Sequence, residues 1–301
     1  MNEKLETILK KLRLSGMAAS LDVRLQEAVA NHLTHAEFLE LVLADELAVR
    51  FDRLVSRRVK AASFREVKRL DDFDWTFNPS IKKKQMYDLA TGHFLRKARD
   101  VLMLGPPGTG KSFLVQAIGH HLIHAGFTVY YRSVFDVVRD FLRDEAFDGQ
   151  EKVLARYLKP DLVIIDDMGM KELPKKSGEL LFEIIMRRYE VRSTMMTSNR
   201  PIQDWGKLIG DVPAATAILD RFLHHAEMIQ ITGRSYRLRK KQHGPAEQNQ
   251  DPEPAPPTDP TDSKTGQSAP RVGPSKTGQS APRPKQAADG TAAKKDPPKG
   301  K

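Results

Sequence analysis

The sequence predicts an α/β fold: a parallel sheet covered by helices on both faces, preceded by a small all-helical region and followed by a disordered tail. Three observations predict it. Short apolar runs alternate with helical patterns between residues 101 and 232, a glycine-rich loop joins the first run to a helix, and residues 241–301 hold almost nothing a core could use.

Composition sets the outer bounds. The chain has 301 residues, 49 Lys+Arg against 39 Asp+Glu, and a formal net charge of +10. The basic excess is spread along the chain: 19 basic and 15 acidic side chains in 1–100, 20 and 17 in 101–240, 10 and 7 in 241–301. Such an excess permits a nucleic-acid partner without requiring one. The absence of Cys excludes disulfides, thiol nucleophiles and Cys-based zinc sites. No apolar run reaches the ~18 residues of a membrane span, and the start, Met1-Asn2-Glu3-Lys4, lacks the pattern of a signal peptide. A cytoplasmic protein without a membrane partner is expected.

The first region reads as helical. Leu5, Ile8, Leu9 and Leu12 recur at i, i+3, i+4, i+7, and Leu21, Leu25 and Val29 at i, i+4, i+8. Ser15-Gly16 is expected to break the first helix. Thr34 and Glu37 form a capping-box pattern ahead of Phe38, Leu41, Leu43, Leu47 and Val49, in a run that continues toward Val59 without Pro or Gly. Between Arg50 and Arg69 stand Arg50, Arg53, Arg57, Arg58, Lys60, Arg65, Lys68 and Arg69 against only Asp52 and Glu66. Arg50, Arg53 and Arg57 lie near one helix face. The run is either a solvated, salt-bridged face or a strip touching DNA phosphates, and composition alone favours the former. A second basic cluster, Lys82-Lys83-Lys84, follows Asn78-Pro79. The expected divisions are 1–70 helical, 71–97 linker and pre-strand helix, 98–240 sheet domain and 241–301 tail.

The nucleotide chemistry begins at Val101–Leu104, a short apolar strand running into Gly105-Pro106-Pro107-Gly108-Thr109-Gly110-Lys111-Ser112. A helical pattern follows: Phe113, Leu114, Ala117, Ile118, Leu122 and Ile123. Strand, G-x-x-x-x-G-K-S and helix together make a P-loop. Glycines let backbone N–H groups close on phosphate oxygens, and the helix N-terminus adds the positive end of its dipole. Lys111 supplies a point charge to the β- and γ-phosphates, and Ser112 a hydroxyl for Mg²⁺. Residues 105–113 are the candidate ATP contacts.

Strands are further expected at 128–131, 162–166, 193–197 and 227–232, with helices near 178–191 and 213–223. Leu162–Ile165 end in Asp166, suited to hold Mg²⁺, and Asp167, suited to polarise the attacking water. By itself four apolar residues before two acids is a weak signal; beside the P-loop it is strong. Asn199 is either a sensor of the γ-phosphate or a turn residue. Arg221 could reach a neighbour's site as an arginine finger, and Arg237 could face the phosphates of its own subunit. Residue type alone favours plain surface roles for both arginines.

The tail holds 12 of the 19 prolines, no aromatic residue, and a duplicated nonamer, SKTGQSAPR, at Ser263–Arg271 and Ser275–Arg283. It cannot bury enough surface to offset its ordering entropy.

GPPGTGKS, LVIIDDMGM, MMTSN, LDRF and GRSYR together resemble the helicase-loader branch of the AAA+ ATPases. LKKLRLSGMAASLDVRLQEA (9–28) and FLELVLADELAVRFDRLVSRRVKAASF (38–64) are similar to IstB-like ATP-binding proteins within that branch. The resemblance covers about residues 1–240. It implies an AAA+ three-layer sandwich and slow, DNA-stimulated ATP hydrolysis with Mg²⁺. It also implies a helical DNA-binding region, ATP-dependent self-association on double-stranded DNA, and stimulation of a partner transposase. Residue by residue it implies Asp166 for the metal, Asp167 as catalytic carboxylate, Asn199 as first sensor, Arg221 as trans-acting finger and Arg237 as second sensor. Many AAA+ enzymes carry Asp-Glu where this chain has Asp166-Asp167, so slow water activation is implied. Other readings are a replicative helicase loader, an ATP-gated DNA scaffold with little turnover and, least of all, a metabolic P-loop kinase.

Overall fold

A computed structural model describes residues 3–144, 150–169, 173–174, 177–210 and 212–238; the tail 241–301 and its repeat lie outside these. Three helices open the chain, α1 (Glu3–Lys11), α2 (Ser15–Ala30) and α3 (His35–Ala62). The Thr34–Glu37 capping box forms: the Glu37 N–H donates to Thr34 Oγ1 (3.3 Å) and the Thr34 N–H to Glu37 Oε2 (2.8 Å). Ser15 and Gly16 begin α2 rather than merely ending α1. The buried Glu46 carboxylate accepts the Gly16 and Met17 N–H groups (2.6 and 3.1 Å), so α3 caps α2. A Cβ on Gly16 would stand 2.8 Å from Glu46 Cα, a close approach only glycine permits. Leu9, Leu21 and Val42 close a small core among the three helices.

After α4 (Lys83–Ala90) and α5 (His93–Arg96) come β1 (Val101–Leu104), α6 (Lys111–His124), β2 (Val129–Ser133), α7 (Val134–Asp144), α8 (Gln150–Leu158) and β3 (Leu162–Met168). The rest is α9 (Ser177–Arg188), β4 (Ser193–Ser198), α10 (Trp205–Ile209), α11 (Val212–His224) and β5 (Glu227–Gln230). All five strands are parallel, in the order β2-β3-β4-β1-β5. The strand alternation expected from the sequence is met, with boundaries differing by one or two residues.

Alternate strand residues feed two cores. Val101, Met103, Tyr131 and Ile164 meet α6, α4 and the end of α3 on one face; Leu102, Val163, Ile165 and Met196 meet α7–α11 on the other. The stretch 71–97, expected to be a linker with one helix, helps form the first core through Ile81, Met86, Leu89 and Phe94. Likewise α3, which lies wholly within the stretch 1–70, packs into two cores: Val42 belongs to the helical cluster, whereas Val55 and Ala62 are buried in the sheet's core. A 28-residue helix is about 42 Å long, enough to serve both.

Candidate nucleotide site

The carboxyl ends of β1, β3 and β4 converge on a cavity of about 550 Å³. Parallel strands end there together, which is where α/β sheets bind ligands. Pro107–Phe113, Asp167, Asn199 and Arg237 line it. Gly105 and Pro106 lie behind the loop, and the Lys111 ammonium donates to their carbonyls (2.6 and 2.8 Å). Burial pulls the Lys111 pKa down, while Asp166 and Asp167 pull it back up. Two glycines are dictated by packing. A Cβ on Gly105 would fall 2.2 Å from the Ile231 carbonyl oxygen, and Gly108 combines φ +81° with Ser235 Oγ at 2.0 Å from a Cβ position. The segment after β5 lies over the loop, the Tyr236 N–H donating to Gly108 O (2.9 Å), and that places Arg237 at the cavity.

Asp166 is fully buried among hydroxyls. Ser112 Oγ donates to its Oδ1 (3.1 Å), Tyr131 Oη to its Oδ2 (2.6 Å), and Thr197 Oγ1 also donates to it. Ser112 and Asp166 thus put hard oxygen donors side by side at the phosphate loop, a set that fits Mg²⁺. At Asp167 the β3–β4 register shifts and φ is +65°, a strained backbone that turns the side chain into the cavity. Its N–H donates to Thr197 Oγ1 (3.1 Å), and its Oδ2 accepts from Arg65 Nη1 (3.0 Å). Burial, then the adjacent Asp166, push the Asp167 carboxyl above its ordinary range, while Arg65 opposes them. Asn199 Oδ1 is buried without a hydrogen-bond partner among the described residues. An orphaned acceptor beside the cavity is costly unless a ligand or water meets it.

Arg221 is not in this cavity. It is exposed on α11, 5.5 Å over the Tyr189 ring and 4.0 Å from Asp220. The expected DNA strip also divides. Arg53, Arg57 and Lys60 are exposed on α3, Arg50 pairs with Glu46 (2.7 Å), Arg58 donates to Gly126 O, and Arg69 is exposed beyond the helix. Lys68, expected with that strip, instead lines the nucleotide cavity, 5.5 Å over the Phe113 ring and paired with Glu66. The reason is the left-handed turn at Ser63 (φ 59°), which ends α3 and sends the following residues toward the phosphate loop.

Sequence reasoning missed the aromatic rim. Phe73 and Phe77 line the cavity, Phe73 lies 5.4 Å from Phe113, and Phe77 meets Tyr236 edge-on at 5.0 Å. The crowding of aromatics in Asp72-Phe73-Asp74-Trp75-Thr76-Phe77 was a readable signal. The role of Arg65 had none.

Residues 7–244 match the family model described as IstB-like ATP binding protein. The chain belongs to the IstB-like ATP-binding family. Among its IstB-like relatives is an ATP-binding protein of insertion sequence IS5376 from Geobacillus stearothermophilus, 34% identical over 241 residues, which span 80% of this chain and 96% of the relative. Another is an insertion sequence IS21 ATP-binding protein from Pseudomonas aeruginosa, 34% identical over 79% of this chain and 90% of its own. Among solved structures, the DnaC helicase loader aligns with a TM-score of 0.47 and 20% identity over 54% of this chain and 96% of that one. No helix among the described residues is long and apolar enough to cross a membrane.

Proposed function

We propose that this protein binds and slowly hydrolyses ATP, assembles on double-stranded DNA, and recruits or stimulates the transposase of an insertion sequence. The observation carrying the ATPase reading is the meeting of Lys111, Ser112, Asp167 and Asn199 at one cavity, with Asp166 hydrogen-bonded behind them. The insertion-sequence relatives support the transposition context.

The loop amides and Lys111 grip the β- and γ-phosphates, and Phe73, Phe77 and Tyr236 offer the base flat faces. Ser112 and Asp166 would hold Mg²⁺, which when bound draws off phosphate charge. Asp167 accepts a proton from water as the water oxygen attacks the γ-phosphorus and the bond to the β-phosphate oxygen breaks. Asn199 orients that water, and Arg237 neutralises charge from the same subunit. Arg221, exposed and outside its own cavity, is suited to a neighbour's. Asp167 is one methylene shorter than Glu, consistent with slow turnover.

The DNA reading draws on a second cavity of about 360 Å³ at the opposite, amino end of the sheet. Arg58, Lys152, Arg156 and Lys159 line it, with no carboxylate within ion-pair distance of them among the described residues. It carries the positive face of Arg53 and Arg57 onward from α3 to α8, the kind of surface a phosphate backbone meets.

Gel filtration with and without ATP and duplex DNA, followed by ATPase assay of the same fractions, tests the proposal. ATP- and DNA-dependent assembly with turnover is expected; a monomer in every condition overturns the assembly reading. Asp167→Asn then separates this reading from an ATP-gated scaffold. Loss of both hydrolysis and transposase stimulation supports turnover, and stimulation surviving without hydrolysis supports the scaffold.

A further inference from the structure

We propose that Arg65 is a positioning residue that holds Asp167 away from the attacking water, and that the helix just before it, α3, sets when it lets go. This rests on the reading of Asp167 as the hydrolytic carboxylate and adds a regulator to that site.

The contact is direct. Arg65 Nη1 donates to Asp167 Oδ2 at 3.0 Å, and the arginine reaches the acid across the cavity wall from a segment remote in sequence. An oxygen engaged by a guanidinium is not free to orient water. Asp167 must leave the pair, or turn its other oxygen, before it can serve as a base. The pair is also releasable: the two side chains are 51% and 23% exposed, so solvent can take over the arginine's bonds.

The wiring to α3 is short. The helix ends at Ala62, and Ser63 turns the chain. Phe64 then packs its ring 6.0 Å from that of Tyr131, whose hydroxyl donates to Asp166. The Arg65 and Glu66 N–H groups both donate to Gln116 Oε1 (3.0 and 3.2 Å), and Gln116 Nε2 donates to the Ser112 carbonyl (2.8 Å). Consecutive residues 64 and 65 thereby address both acids, one of them through Tyr131. On the other side, Arg58 stands one helical turn before Ala62, about 6 Å along a rigid element. A duplex gripped by Arg53, Arg57 and Arg58 would therefore pull on the helix whose end latches the carboxylate.

The experiment uses the full chain carrying Arg65→Gln or Arg65→Lys. Turnover is measured without DNA and with saturating duplex, and ATP affinity by titration with a fluorescent analogue. The Gln variant should raise DNA-free kcat about two- to fivefold, the size expected for release of a half-exposed pair. DNA stimulation should shrink by the same factor, with KM changing less than about twofold. The Lys variant keeps a cation for the pair and should restore the brake in part. Unchanged ATP affinity in both variants shows that the site is folded. A drop in kcat of tenfold or more, with and without DNA, would mean that Arg65 acts on the phosphate and would overturn the proposal. Rates equal to wild type in both conditions would overturn it too. Should wild type be inert and the Gln variant active, the brake is supported. Should both bind ATP and neither hydrolyse it, the ATPase reading falls and takes this one with it, an outcome distinct from an active wild type matched by its variant.

Discussion

Arg188 shows how much a single polar side chain can organise. It is 1% exposed, and its guanidinium donates to the carbonyls of Tyr157, Pro160, Asp161 and Ser193 and to Thr194 Oγ1. Burial pulls its pKa down to about 9, which leaves it charged at neutral pH. These carbonyls belong to the end of α8, the loop before β3 and the start of β4, so one arginine ties three elements. Arg188→Leu keeps an apolar stem but orphans the carbonyls, and should cost about 3–5 kcal/mol, read as a lower urea midpoint. At the nucleotide site, Lys111→Ala removes a buried charge that opposes phosphate. ATP should bind at least about a hundredfold more weakly, near 3 kcal/mol, in an isothermal titration. Normal affinity in that variant would remove the site assignment.

At the level of elements, an ion pair ties α2 to α3 beside their small apolar core. Arg24 grips Asp45 with two bonds of 2.8 Å and Glu27 with one of 2.6 Å. The Arg24 hydrogen bonds, then one from Ser20, hold the Asp45 carboxyl down at about 2. A carboxyl depressed in the folded state stabilises above its ordinary value of 3.8 and loses that contribution as pH falls toward 2. The protection factors of the α2 amides, taken against the intrinsic exchange rate at each pH, should therefore fall through that window, and Asp45→Asn, which lacks the pair at every pH, should show no such step. A step of equal size in the variant would assign the effect to other acids.

For the whole molecule, the two ends of the sheet present different chemistry: the P-loop cavity at the carboxyl end, and the Arg58, Lys152, Arg156, Lys159 groove at the amino end. Replacing Lys152, Arg156 and Lys159 by Glu should weaken DNA binding for all sequences alike. It should also flatten the plot of log affinity against log salt by about one unit per lost phosphate contact. Anisotropy titrations over a salt series measure this, and an unchanged slope returns the groove to an ordinary solvated surface. The α3 arginines can be reversed separately, which tells whether strip and groove act as one surface.

Much of this fold was legible because its signals are local. A parallel strand buried on both faces reads as an apolar run, a P-loop needs its glycines in sequence, and Thr34 caps with Glu37 three residues away. The family followed from the same strings. What sequence by itself could not determine is which distant residues meet. Nothing in the run Arg50–Arg69 distinguishes Arg57, facing solvent, from Arg65, which reaches an acid 102 residues later. Nor does composition tell that 71–97 fills a core rather than linking two. The strand order and the left-handed turn at Ser63 decide both, because side-chain contacts depend on where elements pack, and packing depends on the whole chain's buried surface rather than on any window of it.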